Sequence, residues 1–193
     1  MIQSGYSQNL QRNIKKAKQQ GLYVKEINDE KDILRLGVIF DNLYQWRKVK
    51  SQWIDSPGTF LKWSLSPEIA DKTIWFGIYN AANDLIGGMM LVKQGDSLFY
   101  QLGATDPEFR NLPILHLCFH EAILYAKEHN FLFFDFGGYD TDAKENDQTN
   151  NINLFKKQFG GEVVSNFPDI VVTLNPFINT VNNILMRLRH KLH

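Results

Sequence analysis

A strand, a loop and a helix between residues 131 and 163 carry the residue types best suited to chemistry. The segment FLFFDFGGYDTDAKENDQTNNINLFKKQFGGEV places Gly137 and Gly138 at the end of an aromatic strand, and Lys156 and Lys157 on a helix that a second glycine pair ends. Glycine lets the backbone approach a ligand closely or adopt a positive φ. The glycine pairs are therefore either ordinary ends of a strand and a helix or the frame of a ligand site.

Other reactive patterns are weaker. His116 and His120 are four residues apart on a predicted helix and could share a metal ion, but no H-E-x-x-H pattern accompanies them, and we predict no metal site. The chain lacks a G-x-S-x-G elbow and a Walker loop, so hydrolase and nucleotidase functions have no support. Cys118 is the one cysteine, which excludes an internal disulfide, and its apolar neighbours predict a buried, inert thiol.

Composition and charge bound the class of protein. With 193 residues, 44% of them hydrophobic, the chain is long enough for one domain with a substantial core. The net charge is zero, yet no acid precedes Glu26 or follows Asp169, and both ends carry lysine and arginine. Such ends favour a polyanion or an anionic membrane face, although a solvated helix is the commoner outcome. No signal peptide or membrane-spanning run is recognised, which predicts a cytoplasmic protein.

Hydrophobic periodicity predicts the elements that position these residues. A basic helix at residues 1–21 precedes a strand, two helices and three consecutive strands; a long helix, the strand FLFFDF, the helix NINLFKKQF, the strands EVVSN and DIVVTLN and a last helix follow. FLFFDF has apolar residues on both faces, which predicts a buried strand. This order predicts an α/β (α+β) fold, with a mixed sheet and helices on its faces.

The element order resembles the GNAT acyltransferase fold, and the last third resembles its Fem-type branch, the group related to the peptidoglycan-bridge aminoacyltransferases. The similarity lies in LFYQLGATDPEFRNLP, FFDFGGYD and LFKKQFGGEVV and extends over nearly all of the chain. It implies a single GNAT-like domain at residues 22–175, between the N-terminal helix and an amphipathic basic helix at 176–193. The implied sheet is mostly antiparallel, with splayed fourth and fifth strands. The implied function is transfer of an acyl or aminoacyl group to an amine of a cell-envelope sugar or peptide precursor.

The resemblance also implies where the reaction takes place. The acyl donor would lie between the strands YQLGAT and FFDFGG, where Gly103, Gly137 and Gly138 let the backbone come close to it. Lys156 matches the family position whose lysine stabilises the charge that develops on the acyl carbonyl, and Phe155 would be a wall of the acyl channel. The alternative for Lys156 is a surface lysine whose aliphatic stem packs on the protein.

Three further residues complete the predicted site. Arg47 resembles the position whose arginine binds a phosphate of a nucleotide- or lipid-linked acceptor; alternatively it ends a helix whose dipole favours cations. Tyr100 would orient the acceptor amine or pass on its proton. Asp135, a polar residue among phenylalanines, is either a general base or a buried structural carboxylate.

Several donors and partners are compatible with the resemblance. GNAT proteins that use coenzyme A bind its pyrophosphate with a glycine-rich turn, but this turn reads DPEFRNLPI, which favours aminoacyl-tRNA over acetyl-CoA as the co-substrate and predicts no tightly bound cofactor. Expected partners are a small or lipid-linked envelope precursor, tRNA, and a second GNAT-like half or a homodimer. The C-terminal helix could also contact the inner face of the membrane. The alternative functions are a CoA-dependent N-acetyltransferase acting on a sugar or amino acid, and a catalytically silent half that binds a partner.

Overall fold

The computed structural model describes residues 2–48, 56–145 and 147–165. The chain divides into two units, residues 1–162 and 163–193, and the elements described all belong to the first. Its helices are α1 (Gln8–Gln19), α2 (Glu30–Arg47), α3 (Gly58–Leu65), α4 (Pro67–Ala70), α5 (Ile114–Glu128) and α6 (Gln148–Lys157). Its strands are β1 (Tyr23–Glu26), β2 (Thr73–Tyr79), β3 (Leu85–Gln94), β4 (Ser97–Thr105) and β5 (Phe133–Asp135).

The five strands form one sheet in the order β1-β2-β3-β4-β5. Strands β1 to β4 pair antiparallel, and β5 pairs parallel with β4, which confirms the predicted mixed, mostly antiparallel sheet. β5 pairs only with Ser97–Phe99. Within the described residues, the remainder of β4 therefore has no partner strand on this side. The fourth and fifth strands part as predicted.

Helices cover both faces of the sheet, and each face has its own hydrophobic core. α1 and α5 pack on one face, and α2 and α3 pack on the other. Successive side chains of β2 point to opposite faces of the sheet, so Phe76 belongs to the first core and its neighbour Trp75 to the second. Since both faces are covered, β2 is buried along nearly its full length, which explains its continuous apolar sequence TIWFGIY.

Helix α1 packs into the core that α5 shares with the sheet. Ser7 caps the helix by accepting a hydrogen bond from the backbone N–H of Leu10. Leu10, Ile14 and Ala17 are spaced to lie on one helix face, and all three are buried. The opposite face carries the basic residues of this helix and is exposed to solvent.

The structure differs from the sequence-based prediction around β5. Leu132 and Phe133 are 71% and 64% exposed, so the prediction that FLFFDF is a buried strand is wrong. The reason is that β5 is an edge of the described sheet, where Phe134 packs against α5 but the opposite face has no described cover. EVVSN forms no strand over residues 162–165. Its last residue, the predicted strand DIVVTLN and the predicted helix at 176–193 lie outside the described residues.

None of the helices described here combines the length and the apolar character needed to cross a bilayer.

Candidate active site

The gap between β4 and the chain that follows β5 is the centre of the candidate site. Gly137 has a φ of +74°, and a Cβ added to it would lie 3.5 Å from the carbonyl oxygen of Tyr100. The positive φ favours glycine at this position. Asp135 Oδ1 accepts a hydrogen bond from the Gly137 N–H at 2.7 Å, and the resulting turn leads the chain out of the sheet. A Cβ added to Gly138 would meet no atom within 4 Å, so this residue borders open space.

A β-bulge in β4 sets the direction of Tyr100. The pairing of β4 with β3 skips Gln101, so this residue is the extra one on its strand. As a consequence Tyr100 faces the core of α5, whereas Leu102 faces the core of α2. A Cβ added to Gly103 would lie 2.8 Å from the Tyr100 hydroxyl oxygen. Glycine at position 103 therefore leaves room for the phenol at the edge of the gap.

The surroundings of the Tyr100 hydroxyl favour its protonated form. Burial raises the pKa of Tyr100 to about 12, with smaller contributions from Cys118 and Tyr44, while the positive charge of Arg47 acts in the opposite direction. Cys118 on α5 is fully buried, as predicted, and burial also raises its own pKa. Tyr44 and Arg47 belong to the last turn of α2, on the other face of the sheet. Residues on both faces of the sheet therefore influence Tyr100.

Lys156 of α6 contacts the chain that follows β5. Its Nζ donates a hydrogen bond to the carbonyl oxygen of Gly138 at 2.5 Å, and its side chain is half-buried. Burial lowers the pKa of Lys156, and the negative charge of Asp135 opposes this shift. Lys157 is exposed, with its ammonium 5.5 Å from the centre of the Tyr139 ring. Of the two adjacent lysines, only Lys156 therefore contacts the end of β5.

Phe119 organises an aromatic wall beside the gap. This α5 residue is 2% exposed, and its ring centre lies 4.6 Å from that of Tyr100. It also contacts the rings of Phe134, Phe136, Phe155 and Phe159. Offset and edge-to-face contacts of this kind hold aromatic rings in fixed orientations. Phe155 was predicted from the sequence, whereas Phe119 was not, and the apolar periodicity of the long helix is the signal that could have indicated the burial of Phe119.

The turn between β4 and α5 is held by an ion pair and by hydrogen bonds within the turn. Asp106 is buried and pairs with Arg35 of α2, with 3.0 Å between Oδ2 and Nη2. Of residues 107–114, the two prolines have no N–H group. The N–H groups of four others donate within the turn, namely those of Glu108, Phe109, Leu112 and Ile114. The turn therefore presents few backbone donors to a pyrophosphate.

Asp135 and the two histidines of α5 have specific surroundings. The Asp135 side chain is exposed, so the alternative of a buried structural carboxylate is wrong; β5 lies at the edge of the described sheet, and this face of it has no described cover. His116 Nε2 lies 3.3 Å from Asn13 Nδ2, and its ring packs edge-to-face against Phe155. His120 is buried, with Nδ1 3.4 Å from the Tyr6 hydroxyl. Each histidine therefore links α5 to α1 or to the segment before it.

The burial of His120 predicts a loss of stability in weak acid. Burial lowers the pKa of His120 below its usual value, so the unfolded chain takes up a proton more readily than the folded one. The free energy of unfolding should therefore fall as the pH drops below about 6.5, by at most about 1.4 kcal/mol per pH unit for one proton. Urea unfolding at several pH values between about 7.5 and about 5.5 measures this slope.

The neutral variant His120→Gln should have a flatter pH profile. Burial also lowers the pKa of His116, so the double variant His116→Gln/His120→Gln should flatten the profile further. A wild-type stability that does not change over this pH range would contradict the prediction.

The fold brings the predicted site residues together around one gap. β4 contributes Tyr100 and Gly103, the end of β5 contributes Asp135, Gly137 and Gly138, and α6 contributes Phe155 and Lys156. Arg47, in the last turn of α2, is near enough for its charge to lower the pKa of Tyr100, against the effect of burial. The bulge at Gln101, the Phe119 wall and the Arg35–Asp106 pair were not predicted. They depend on contacts between residues far apart in the chain.

The sequence is similar to those of known transferases. The acetyltransferase (GNAT) domain family matches residues 4–145. The lipid II:glycine glycyltransferase of Staphylococcus saprophyticus is 28% identical over 123 residues, which cover 63% of this chain and 29% of that protein. The enzyme of the same name from Staphylococcus aureus is 28% identical over 104 residues, which cover 53% of this chain and 25% of that one. The chain thus spans less than a third of the length of these curated relatives.

The fold is similar to those of two solved structures. FemX superposes with a TM-score of 0.68 at 14% identity, covering 82% of this chain and 55% of FemX. An aminoglycoside acetyltransferase from an uncultured soil metagenomic sample superposes with a TM-score of 0.56 at 13% identity, covering 81% of this chain and 99% of that one. These similarities show a GNAT-like fold and agree with the resemblance drawn from the sequence. Since the family match extends over more than half of the chain, this protein belongs to the acetyltransferase (GNAT) domain family.

Proposed function

We propose that the protein is an N-acyltransferase that moves an acyl or aminoacyl group to an amine of a cell-envelope sugar or peptide precursor. The observation that carries the proposal is the half-buried Lys156, whose ammonium hydrogen-bonds to the Gly138 carbonyl oxygen in the chain that follows β5, where β4 and β5 part. The similarity to lipid II:glycine glycyltransferases supports the choice of an envelope acceptor.

The proposed reaction is a direct attack without a covalent enzyme intermediate. The acceptor amine attacks the acyl carbonyl carbon, negative charge develops on the carbonyl oxygen, and the bond to the leaving oxygen of the donor then breaks. An ammonium group has three N–H donors, so the bond from Lys156 to Gly138 orients it and leaves donors for the developing oxyanion. Tyr100, with its pKa raised to about 12, stays protonated near neutral pH. It would orient the amine by a hydrogen bond and relay the proton that the amine loses to the leaving oxygen.

The other residues of the gap would position the reactants. Phe155 would form a wall of the acyl channel, and the open space beside Gly138 would admit the acyl group. Asp135 orders the turn through Gly137 and sustains the positive charge of Lys156. This arrangement supports a positioning role for the carboxylate more than the role of general base.

The proposed donor is an aminoacyl-tRNA. Support comes from the turn between β4 and α5, whose N–H groups are largely used within the turn and whose two prolines provide none. A coenzyme A pyrophosphate depends on free backbone donors at this position. Acetyl-CoA is the alternative donor, and its binding is measured separately.

The proposed acceptor is lipid-linked. Arg47 is exposed at the end of α2, and a guanidinium recognises phosphate through paired hydrogen bonds.

We further propose that the GNAT-like domain spans residues 22–175, flanked by the helical segments 1–21 and 176–193, and that the protein acts in the cytoplasm at the inner face of the membrane. A second GNAT-like half or a second copy of the chain would complete the active protein.

Donor binding tests this function. Isothermal titration calorimetry with a non-hydrolysable aminoacyl-tRNA mimic and with acetyl-CoA should give saturable binding of the mimic only. Mass spectrometry should then detect an aminoacyl group on the amine of a lipid-linked peptidoglycan precursor. Binding of acetyl-CoA alone would make the protein an acetyltransferase, and binding of neither would favour a catalytically silent, partner-binding half.

A further inference from the structure

A cavity of about 830 Å³ lies beside α1, outside the candidate active site. Its volume is in the roughly 300–1,000 Å³ range of ligand-binding pockets. One stripe of α1 forms its wall with the side chains Gln8, Gln11, Arg12, Lys15, Lys18 and Gln19, and the other lining residues are Tyr6, Ile14 and His120. We call it the α1 groove. Cations, amides and an aromatic ring therefore line one continuous surface.

The charge of the α1 groove is unbalanced. Lys18 pairs with Glu121 at 2.9 Å, but within the described residues neither Arg12 nor Lys15 lies within ion-pair distance of a carboxylate. The chain has no acid before Glu26, so the rest of α1 does not compensate. The groove thus has the charge that an anionic ligand requires.

The spacing of the cations fits a chain of phosphates better than a single one. Arg12, Lys15 and Lys18 follow one another at intervals of three residues and span about 9 Å along the helix axis. One strand of a stacked nucleic acid carries a phosphate about every 3.4 Å along its axis, so this span faces two or three phosphates. The glutamine amides between the cations can bond to phosphate or ribose oxygens.

A membrane surface fits the α1 groove less well. A helix that binds a bilayer needs an exposed apolar face to insert between the headgroups. The apolar face of α1 is already buried, through Leu10, Ile14 and Ala17, in the core with α5. What remains exposed is polar and basic, which suits a hydrated polyanion.

We propose that the α1 groove binds the phosphodiester backbone of an RNA strand. The groove is next to the candidate active site, because His120 in the groove is one turn of α5 from His116, which packs on Phe155. Asn13 of α1 contacts the same His116. An RNA bound along α1 would therefore bring its end towards the wall of the acyl channel. The choice of RNA rests on the proposed function, in which aminoacyl-tRNA is the donor.

The test is binding of fluorescein-labelled, uncharged tRNA to the full chain, followed by fluorescence anisotropy at several salt concentrations. The variant Arg12→Gln/Lys15→Gln should bind roughly tenfold more weakly, and the slope of log K against log salt should shrink by about 2, one for each cation removed. The control Lys16→Gln/Lys31→Gln removes the same charge from exposed positions outside the groove and should bind like the wild type.

Three outcomes would overturn this inference. One is a wild-type chain that does not bind tRNA, and another is equal binding by the groove variant and its control. The third is unchanged tRNA binding by the groove variant together with lost binding to vesicles of phosphatidylcholine and phosphatidylglycerol. The assay needs no turnover, so tRNA binding without acyl transfer would refute the proposed function and leave the groove assignment standing. Acyl transfer by a groove variant that binds tRNA as tightly as the wild type would refute the groove assignment and leave the proposed function standing.

Discussion

Replacing Lys156 by alanine is expected to lower kcat for acyl transfer by about 10²–10³-fold, the usual effect of removing one oxyanion donor. The physical reason is that the half-buried Lys156 ammonium, held by the Gly138 carbonyl, lies beside the open space where charge would develop in the transition state. KM should change little, since the lost interaction belongs to the transition state rather than to the bound substrate. Steady-state kinetics with the donor identified by calorimetry measures both quantities.

The adjacent lysine provides a matched control. Lys157→Ala removes the same side chain from an exposed position one residue away and should retain near wild-type turnover. Lys156→Arg keeps the charge but changes the geometry of its donors, so it should be intermediate. Normal turnover by a folded Lys156→Ala variant would contradict the catalytic assignment.

Replacing Phe119 by alanine is expected to cost about 3–5 kcal/mol of the free energy of unfolding, the range measured for buried Phe-to-Ala substitutions. Phe119 is 2% exposed and contacts Tyr100 and four phenylalanines of the wall, so its loss leaves a cavity among rings from α5, α6 and the end of β5. Urea unfolding followed by circular dichroism measures the change.

The same substitution on β5 is the control. Phe133 is 64% exposed, so Phe133→Ala should change the free energy of unfolding by less than about 0.5 kcal/mol. Phe119→Leu keeps part of the volume and should lose less than Phe119→Ala. Equal losses for Phe119→Ala and Phe133→Ala would show that the wall does not hold this side of the protein together.

The prediction of the elements succeeded where local patterns decide the outcome. The apolar spacing of Leu10, Ile14 and Ala17 indicates a helix whichever protein it belongs to, and it agrees with α1. Asp29 has the residue type and the position of an N-cap for α2, and its carboxylate accepts a hydrogen bond from the Asp32 N–H at 2.8 Å. The same reasoning failed for FLFFDF, because an apolar run does not reveal whether both faces of its strand are covered.

The sequence by itself determined the order of the elements from α1 to α6, apart from the short α4, together with the basic α1, the buried Cys118 and the family resemblance, since each depends on residues close together in the chain. Only the tertiary structure decided how the site is arranged. The bulge at Gln101 turns Tyr100 to the face of the sheet that α5 covers, and the edge position of β5 in the described sheet leaves Asp135 exposed. The Lys156 side chain hydrogen-bonds to Gly138, 18 residues earlier in the chain, and the Phe119 ring contacts aromatic rings from β4, the end of β5 and α6. Such contacts depend on strand register and helix packing, which local sequence patterns do not encode.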